Sequence, residues 1–180
     1  MRKLIIGAVT AAALLGAPTV AGAATAVPPG WTPVTDPTHS GSNTPNSPNN
    51  LAAGHNCAFA VTVAVVTNNE LQNVTTLPDG NTVTKIKGNL VLSFENDTSG
   101  KTIEKNVSGP TTQTASADGS TGTFQGEGPN WLAFGPHGQA NTGEPGLVFT
   151  DGLVNVTFAN GTALTFSMHG TQENVCALLS

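Results

Sequence analysis

The sequence CAFAVTVAV at positions 57–65 alternates larger and smaller side chains with a period of two. Successive side chains of a β-strand point to opposite faces of the sheet. The larger ones, which include Cys57, Phe59 and Val61, would therefore share one face. This alternation predicts a strand with one face against a core.

The next alternating run ends at Phe94 and contains Gly88 in the gap between two apolar positions. A glycine inside a strand pattern often marks a bend where a sheet curls. The turn DTSG at 97–100 then predicts a hairpin in which Phe94 lies opposite Ile103. In this register Lys105 faces apolar neighbours, so we expect its stem to lie along them and its ammonium to reach water.

The last hairpin contains Asn160-Gly161, a pair that favours a two-residue turn of the primed type. That register would place the large apolar side chains of its two strands on opposite faces. A three-residue loop at 159–161 with a bulge instead pairs Val154 with Phe166 on one face. Burying these side chains together, at roughly 1.5 to 3 kcal/mol each, outweighs the preference between turn types. We therefore predict the bulged loop.

The composition of the 180-residue chain supports an all-β fold. Only 9% of residues are charged, and the chain contains 21 Gly and 12 Pro, which argues against a coiled coil and for short strands with tight turns. The formal net charge is -5. An acidic chain of this kind repels phosphate backbones, so we expect no nucleic-acid partner.

Residues 1–26 have the pattern of a secretory signal peptide, with a basic start, a short apolar stretch and small residues before the cleavage site. Two possible cleavage sites end at Ala23 and Ala26. The apolar stretch is about half of the ~20 residues that span a bilayer. We expect a secreted, extracellular mature chain without a membrane span.

Residues 27–53 are rich in Pro, Thr and Asn and hold little to bury. This composition predicts a disordered leader in which Trp31 is loosely held. The β-domain would then occupy residues 54–180. We expect little helix in this domain, at most a final turn at 177–180. Residues 135–146 are predicted to form a loop.

Cys57 and Cys176 are the two cysteines of the chain. An exported chain meets an oxidising compartment, so we predict a disulfide that holds their Cα atoms within ~7 Å. Closing the sheet would also remove its exposed edges. We therefore predict a single antiparallel β-barrel of about eight strands, with a two-sheet β-sandwich as the alternative because a disulfide can also cross between sheets.

Apolar groups beside flexible loops recur at binding sites. Trp131, Phe134 and His137 lie beside the Gly-rich stretch 135–146 and form the best candidate for a ligand-binding patch. The alternative, which we favour, is that Trp131 and Phe134 plug one end of the barrel. The histidines show no close metal-ligand spacing, so neither a metal site nor another cofactor is expected.

Asp151 would lie opposite His169 in the bulged register, and a carboxylate beside an imidazole can orient a general base. This pair supports an alternative function, a hydrolase or isomerase of unrecognised type. A cross-strand surface pair is the favoured interpretation, because no nucleophile with a supporting motif can be placed beside it.

Five short motifs lie along residues 54–180: NCAF at 56–59, GNL at 88–90, GKT at 100–102, GLV at 146–148 and NVCAL at 174–178. In these motifs the chain resembles an uncharacterised family of small secreted actinobacterial β-proteins. The resemblance implies no activity for any residue. We expect a non-catalytic secreted domain that binds a small apolar ligand, an envelope component or another protein.

Overall fold

The computed structural model describes residues 27–37 and 49–180, so the predicted signal peptide at 1–26 lies outside the described residues. The described part is built of antiparallel strands and two short helices, which confirms the all-β prediction. Neither helix in this part has the length and apolar character that a membrane crossing requires.

The strands are short except for the last two, which each contain 13 residues. In chain order the strands are β1 (Thr32–Pro33), β2 (Asn49–Leu51), β3 (Val61–Asn68), β4 (Leu71–Thr76), β5 (Thr82–Lys87), β6 (Leu90–Asn96), β7 (Thr102–Asn106), β8 (Thr111–Ala115), β9 (Thr121–Gly126), β10 (Pro129–Ala133), β11 (Leu147–Ala159) and β12 (Thr162–Asn174). The helices are α1 (Pro136–Thr142) and α2 (Val175–Leu179).

The strands form two antiparallel sheets. The larger has the order β1-β4-β5-β8-β9-β11-β10, with β12 also paired to β11, and the smaller has the order β2-β3-β6-β7. No closed barrel forms among the described strands, so the single-barrel prediction is wrong and the two-sheet alternative fits better. In the predicted barrel, the disulfide would join the first strand to the last one beside it. Cys57 instead precedes β3, and Cys176 lies in α2.

The smaller sheet continues into the larger one through a bent hairpin. The pairs Asn68↔Leu90 and Leu71↔Lys87 keep the same register on the two sides of the bend. We call this bend, residues 69–70 and 88–89, the corner. Gly88 adopts φ +137° there, a conformation that residues with side chains rarely adopt, and the bend predicted at this glycine is confirmed.

The hairpin of β6 and β7 has the predicted register, with Phe94 opposite Ile103. Lys105 lies opposite Leu92 and directs its ammonium to the other sheet. There its Nζ lies 2.6 Å from a carboxylate oxygen of Glu173. The apolar neighbours of this lysine therefore accommodate its stem while its charge is paired at the surface.

The hairpin of β11 and β12 differs from the prediction. Asn160 and Gly161 both have positive φ, 49° and 72°, and form the two-residue turn, so the predicted three-residue loop is wrong. The register instead shifts within the strands, where Leu164 is the extra residue, and beyond it Val156 pairs with Phe166. This bulge restores the common apolar face without changing the turn that Asn-Gly favours.

A row of glycines crosses two neighbouring strands and the connection beside them. Gly152 of β11 pairs with Gly170 of β12, and its N–H donates to the carbonyl of Gly128, between β9 and β10, at 3.2 Å. Gly152 and Gly170 have φ values of +140° and +146°. A side chain on either would collide with the facing backbone, so the row allows the strands to approach closely.

Two apolar clusters fill the fold. The first joins the smaller sheet, α2 and the start of β11. Its centre is Phe94, whose ring is fully buried. The ring centroids of Trp131 and Phe149 lie 5.7 and 4.9 Å from that of Phe94. The second contains Val154 and Val156 on the opposite face of β11. The start of β11 is therefore buried on both faces, between the two clusters.

The described parts of the predicted leader pack against the domain. Thr32–Pro33 pairs with β4 at the sheet edge, where a proline removes no ladder bond, and Asn49–Leu51 pairs with β3. The Trp31 ring lies 4.2 Å from Nζ of Lys87. This part of the leader differs from the expected disorder. The domain boundary at residue 54 stays a prediction.

Candidate functional site

The structure separates the three residues of the predicted ligand-binding patch. Phe134 and His137 line one depression, while Trp131 lines another. Phe134 is only 3% exposed and belongs to the second apolar cluster, so its ring is part of the core. The favoured interpretation of Phe134 as a packing residue agrees with this position, whereas ligand binding by the patch stays a prediction.

The first depression, which we call the loop-end cleft, has a volume of about 560 Å³. His137 lies in the first turn of α1, and His55, whose ring packs against Gly135, also lines the cleft. The loop predicted from the sequence at 135–146 contains this helix instead. Pro136 at the start of the helix and Gly143 in the left-handed conformation after it are the signals that could have identified it.

Asn56 supports the wall of the loop-end cleft. Its side-chain amide is buried and donates to the carbonyls of Phe134 and Gly146 at 3.1 and 3.0 Å. The backbone of Asn56 also passes so close to Gly146 that a side chain there would collide with it. Two motifs that carry the family resemblance, at 56–59 and 146–148, therefore meet in space and serve packing.

The Cys57–Cys176 disulfide forms, with the Cα atoms 5.5 Å apart, and the predicted bond is confirmed. Cys57 is buried in the first apolar cluster, and Cys176 packs against that cluster. Asn174 begins α2 by accepting a hydrogen bond from the Ala177 N–H at 3.1 Å. The disulfide therefore fixes α2 over the end of the smaller sheet.

The second depression, the corner cavity, has a volume of about 290 Å³ and lies beside the corner where the sheets meet. Its walls come from both sheets and are mainly apolar. The residues that line it are Pro37, Glu70, Ile86, Leu90, Val107, Thr111, Gln113, Phe124, Trp131, Leu132 and Ala133. This volume is near the lower end of the range for small-molecule sites.

Glu70 is the acidic residue of this wall, and the corner holds its backbone firmly. Its N–H donates to the side chain of Asn68 at 2.9 Å, and its carbonyl accepts from the Val34 N–H at 3.0 Å. The residue is only 7% exposed. Among the described residues, no donor forms a hydrogen bond with its carboxylate.

Burial raises the pKa of the Glu70 carboxyl from 4.5 to about 7. Desolvation disfavours the charged form, and no charged neighbour in the described part of the chain offsets it. Lys87 lines the groove on the other side of Glu70, but its ammonium lies over the Trp31 ring. A raised pKa in a cavity marks a candidate functional residue.

Thr111 is a second polar group of the cavity wall without a partner. Its hydroxyl oxygen is buried and has no hydrogen-bond partner in the described part of the chain. A buried polar group without a partner costs roughly 1 to 3 kcal/mol. The corner cavity therefore combines mainly apolar walls with the Glu70 carboxyl, and the buried Thr111 hydroxyl lies in the same wall.

Asp151 and His169 do not pair as predicted. Asp151 lies opposite Thr171, and His169 lies opposite Leu153, because the bulge shifts the register from that of the three-residue loop. Asp151 lines a small cavity with Glu173 and not with His169. The geometric basis for a catalytic Asp-His pair is therefore absent from these two strands.

The described residues include no group of three or more His, Cys, Asp or Glu side chains that could hold a metal ion. Glu70 is not among the candidate site residues that the sequence indicates. A lone acidic residue between two strands usually lies in a solvated turn. Gly88, which was predicted to bend the sheet, was the one sequence signal for the corner that contains Glu70.

No family model, curated protein or solved structure matches the chain.

Proposed function

We propose that the protein is a secreted, non-catalytic β-domain that binds a small, mainly apolar ligand in the corner cavity. The observation that carries this proposal is a largely buried glutamate in a mainly apolar cavity, whose carboxylate has no hydrogen-bond partner among the described residues. Ligand sites typically combine apolar walls with a few polar groups that fix orientation. Trp131 supplies the aromatic wall, and the predicted patch contributes this one residue to the proposed site.

Secretion is part of the proposal and is supported by two features. The signal-peptide pattern at 1–26 predicts export, and the Cys57–Cys176 disulfide is consistent with an oxidising compartment. Membership in the secreted actinobacterial family is likewise proposed on the motifs quoted above.

Native mass spectrometry of the protein purified from the culture medium of its own host tests the proposal. We expect an adduct of constant mass on the wild-type chain. Gln113→Phe should remove this adduct, because the ring would occupy the cavity. Gln125→Phe is the matched control, since this exposed glutamine of β9 lies outside the cavity wall.

The absence of an adduct on the wild-type protein would contradict the proposal. So would an adduct retained equally by Gln113→Phe and the wild type. Loss of the adduct in His137→Ala with retention in Gln113→Phe would place the ligand in the loop-end cleft and would also overturn the proposed site.

A further inference from the structure

We propose that the ligand of the corner cavity is a small organic amine, whose ammonium pairs with Glu70 and whose apolar body lies against Trp131 and Phe124. This inference rests on the proposed function and specifies its ligand class. It follows from the charge of the cavity, its hydrogen-bonding groups and its aromatic walls.

The charge of the cavity comes first. A buried carboxylate is stabilised by a paired cation, and among the described residues none supplies one to Glu70. The four lysines of the domain are at 85, 87, 101 and 105. Those at 101 and 105 bind the Ser180 carbonyl and Glu173, and Lys87 lies over Trp31. Lys85 is exposed, on the face of β5 opposite the cavity residue Ile86. A cationic ligand would supply the missing charge.

The hydrogen-bonding groups agree with an ammonium. An ammonium carries three donors and no acceptor. The Glu70 carboxylate accepts hydrogen bonds, and Gln113 of the same cavity wall carries a side-chain oxygen that can also accept them. An anionic ligand would meet repulsion from Glu70, and a neutral hydrocarbon would leave its carboxylate without a partner.

The aromatic residues of the cavity wall also favour an organic cation. Trp131 contacts the core through Phe94 and also lines the cavity, where Phe124 is a second aromatic wall residue. Aromatic faces attract organic cations and bury apolar groups. The cavity volume of about 290 Å³ limits the ligand to a small molecule.

Benzylamine, benzyl alcohol and benzoate are suitable probes because they have similar size and differ in charge. Isothermal titration calorimetry with the full mature chain at pH 8, where the Glu70 carboxyl is ionised, compares them. We expect benzylamine to bind about ten- to a hundredfold more tightly than benzyl alcohol, as charge-assisted hydrogen bonds predict. Benzoate should bind more weakly than both.

Glu70→Gln should remove the preference for benzylamine, whereas Glu95→Gln, which neutralises an exposed acid on β6, should preserve it. Circular dichroism of both variants verifies that they fold. Equal affinity for amine and alcohol in the wild type, an unchanged preference in Glu70→Gln, or no binding of benzylamine would overturn the inference. The adduct found by native mass spectrometry tests the proposed function separately, so either can fail alone.

Discussion

Gly152 and Gly170 face each other across β11 and β12, each with a φ that side chains disfavour, and each against a carbonyl of the other strand. The added Cβ of an alanine at position 152 would collide with the His169 carbonyl, and one at 170 with the Asp151 carbonyl. Close backbone approach, as well as backbone conformation, therefore requires glycine at this pair.

Gly152→Ala should lower the free energy of unfolding by about 2 to 5 kcal/mol, since backbone strain and overpacking add. Gly119→Ala is the matched control, because that turn glycine also has positive φ but open space around it. We expect it to lose about 1 kcal/mol. Chemical denaturation measures both, and equal losses would contradict a role for close approach.

Glu70→Gln should change how stability depends on pH. The folded state holds the Glu70 proton up to about pH 7, whereas an ordinary carboxyl loses it near 4.5. The contribution of the Glu70 carboxyl to the free energy of unfolding is therefore fully present below about pH 4.5. It falls as the pH rises to 7 and stays low above pH 7. At pH 8 the variant should be more stable than the wild type, because glutamine places no charge in the cavity. We expect a difference of about 1 to 3 kcal/mol, since solvent in the cavity screens part of the effect.

Urea denaturation of the wild type and Glu70→Gln between pH 4.5 and 8 measures this difference. Glu95→Gln, at an exposed position, serves as the control and should follow the wild type. A constant difference between wild type and Glu70→Gln over this range would show that the carboxyl titrates normally in the folded protein.

Replacing Cys57 and Cys176 together by serine should lower the free energy of unfolding by about 4 to 5 kcal/mol. The cysteines are 119 residues apart, so the bond restricts a long loop of the unfolded chain. Denaturation with and without reductant measures the loss. Reductant should destabilise only the wild type, and a similar effect on the double variant would contradict this origin.

The ion pair between Lys105 and Glu173 joins the two sheets at 2.6 Å, but both side chains are substantially exposed. We expect a coupling free energy below about 1 kcal/mol, weakened further by high salt. A double-mutant cycle with Lys105→Met and Glu173→Gln measures it. A coupling that stays above about 2 kcal/mol in 1 M salt would show that the pair is desolvated.

The local registers were predictable where turn and apolar pattern agree. The hairpin at 97–100 was correct because one register satisfies both the turn and the pairing of Phe94 with Ile103. At Asn160-Gly161 the turn preference and the apolar pattern of the flanking strands conflict. The chain resolves the conflict with a bulge inside the strands, which pattern alone cannot locate because an extra residue at several positions would restore the same faces.

The sheet arrangement and the corner cavity depend on long-range packing. The disulfide was predictable, yet it did not determine whether its cysteines lie in strands or beside them. Glu70 lies in a cavity wall to which both sheets contribute, with Leu90 from one sheet and Thr111 from the other. Nothing in the local sequence around position 70 indicates that arrangement.

The Cys57–Cys176 bond also determines how the molecule would respond to proteolysis. Both cysteines lie near the ends of the domain, so a single cut in any exposed loop between them leaves the two fragments covalently joined. A nicked molecule would migrate at nearly full mass on a non-reducing gel and separate into two bands after reduction. One cleavage event would therefore not release either fragment while the disulfide is intact.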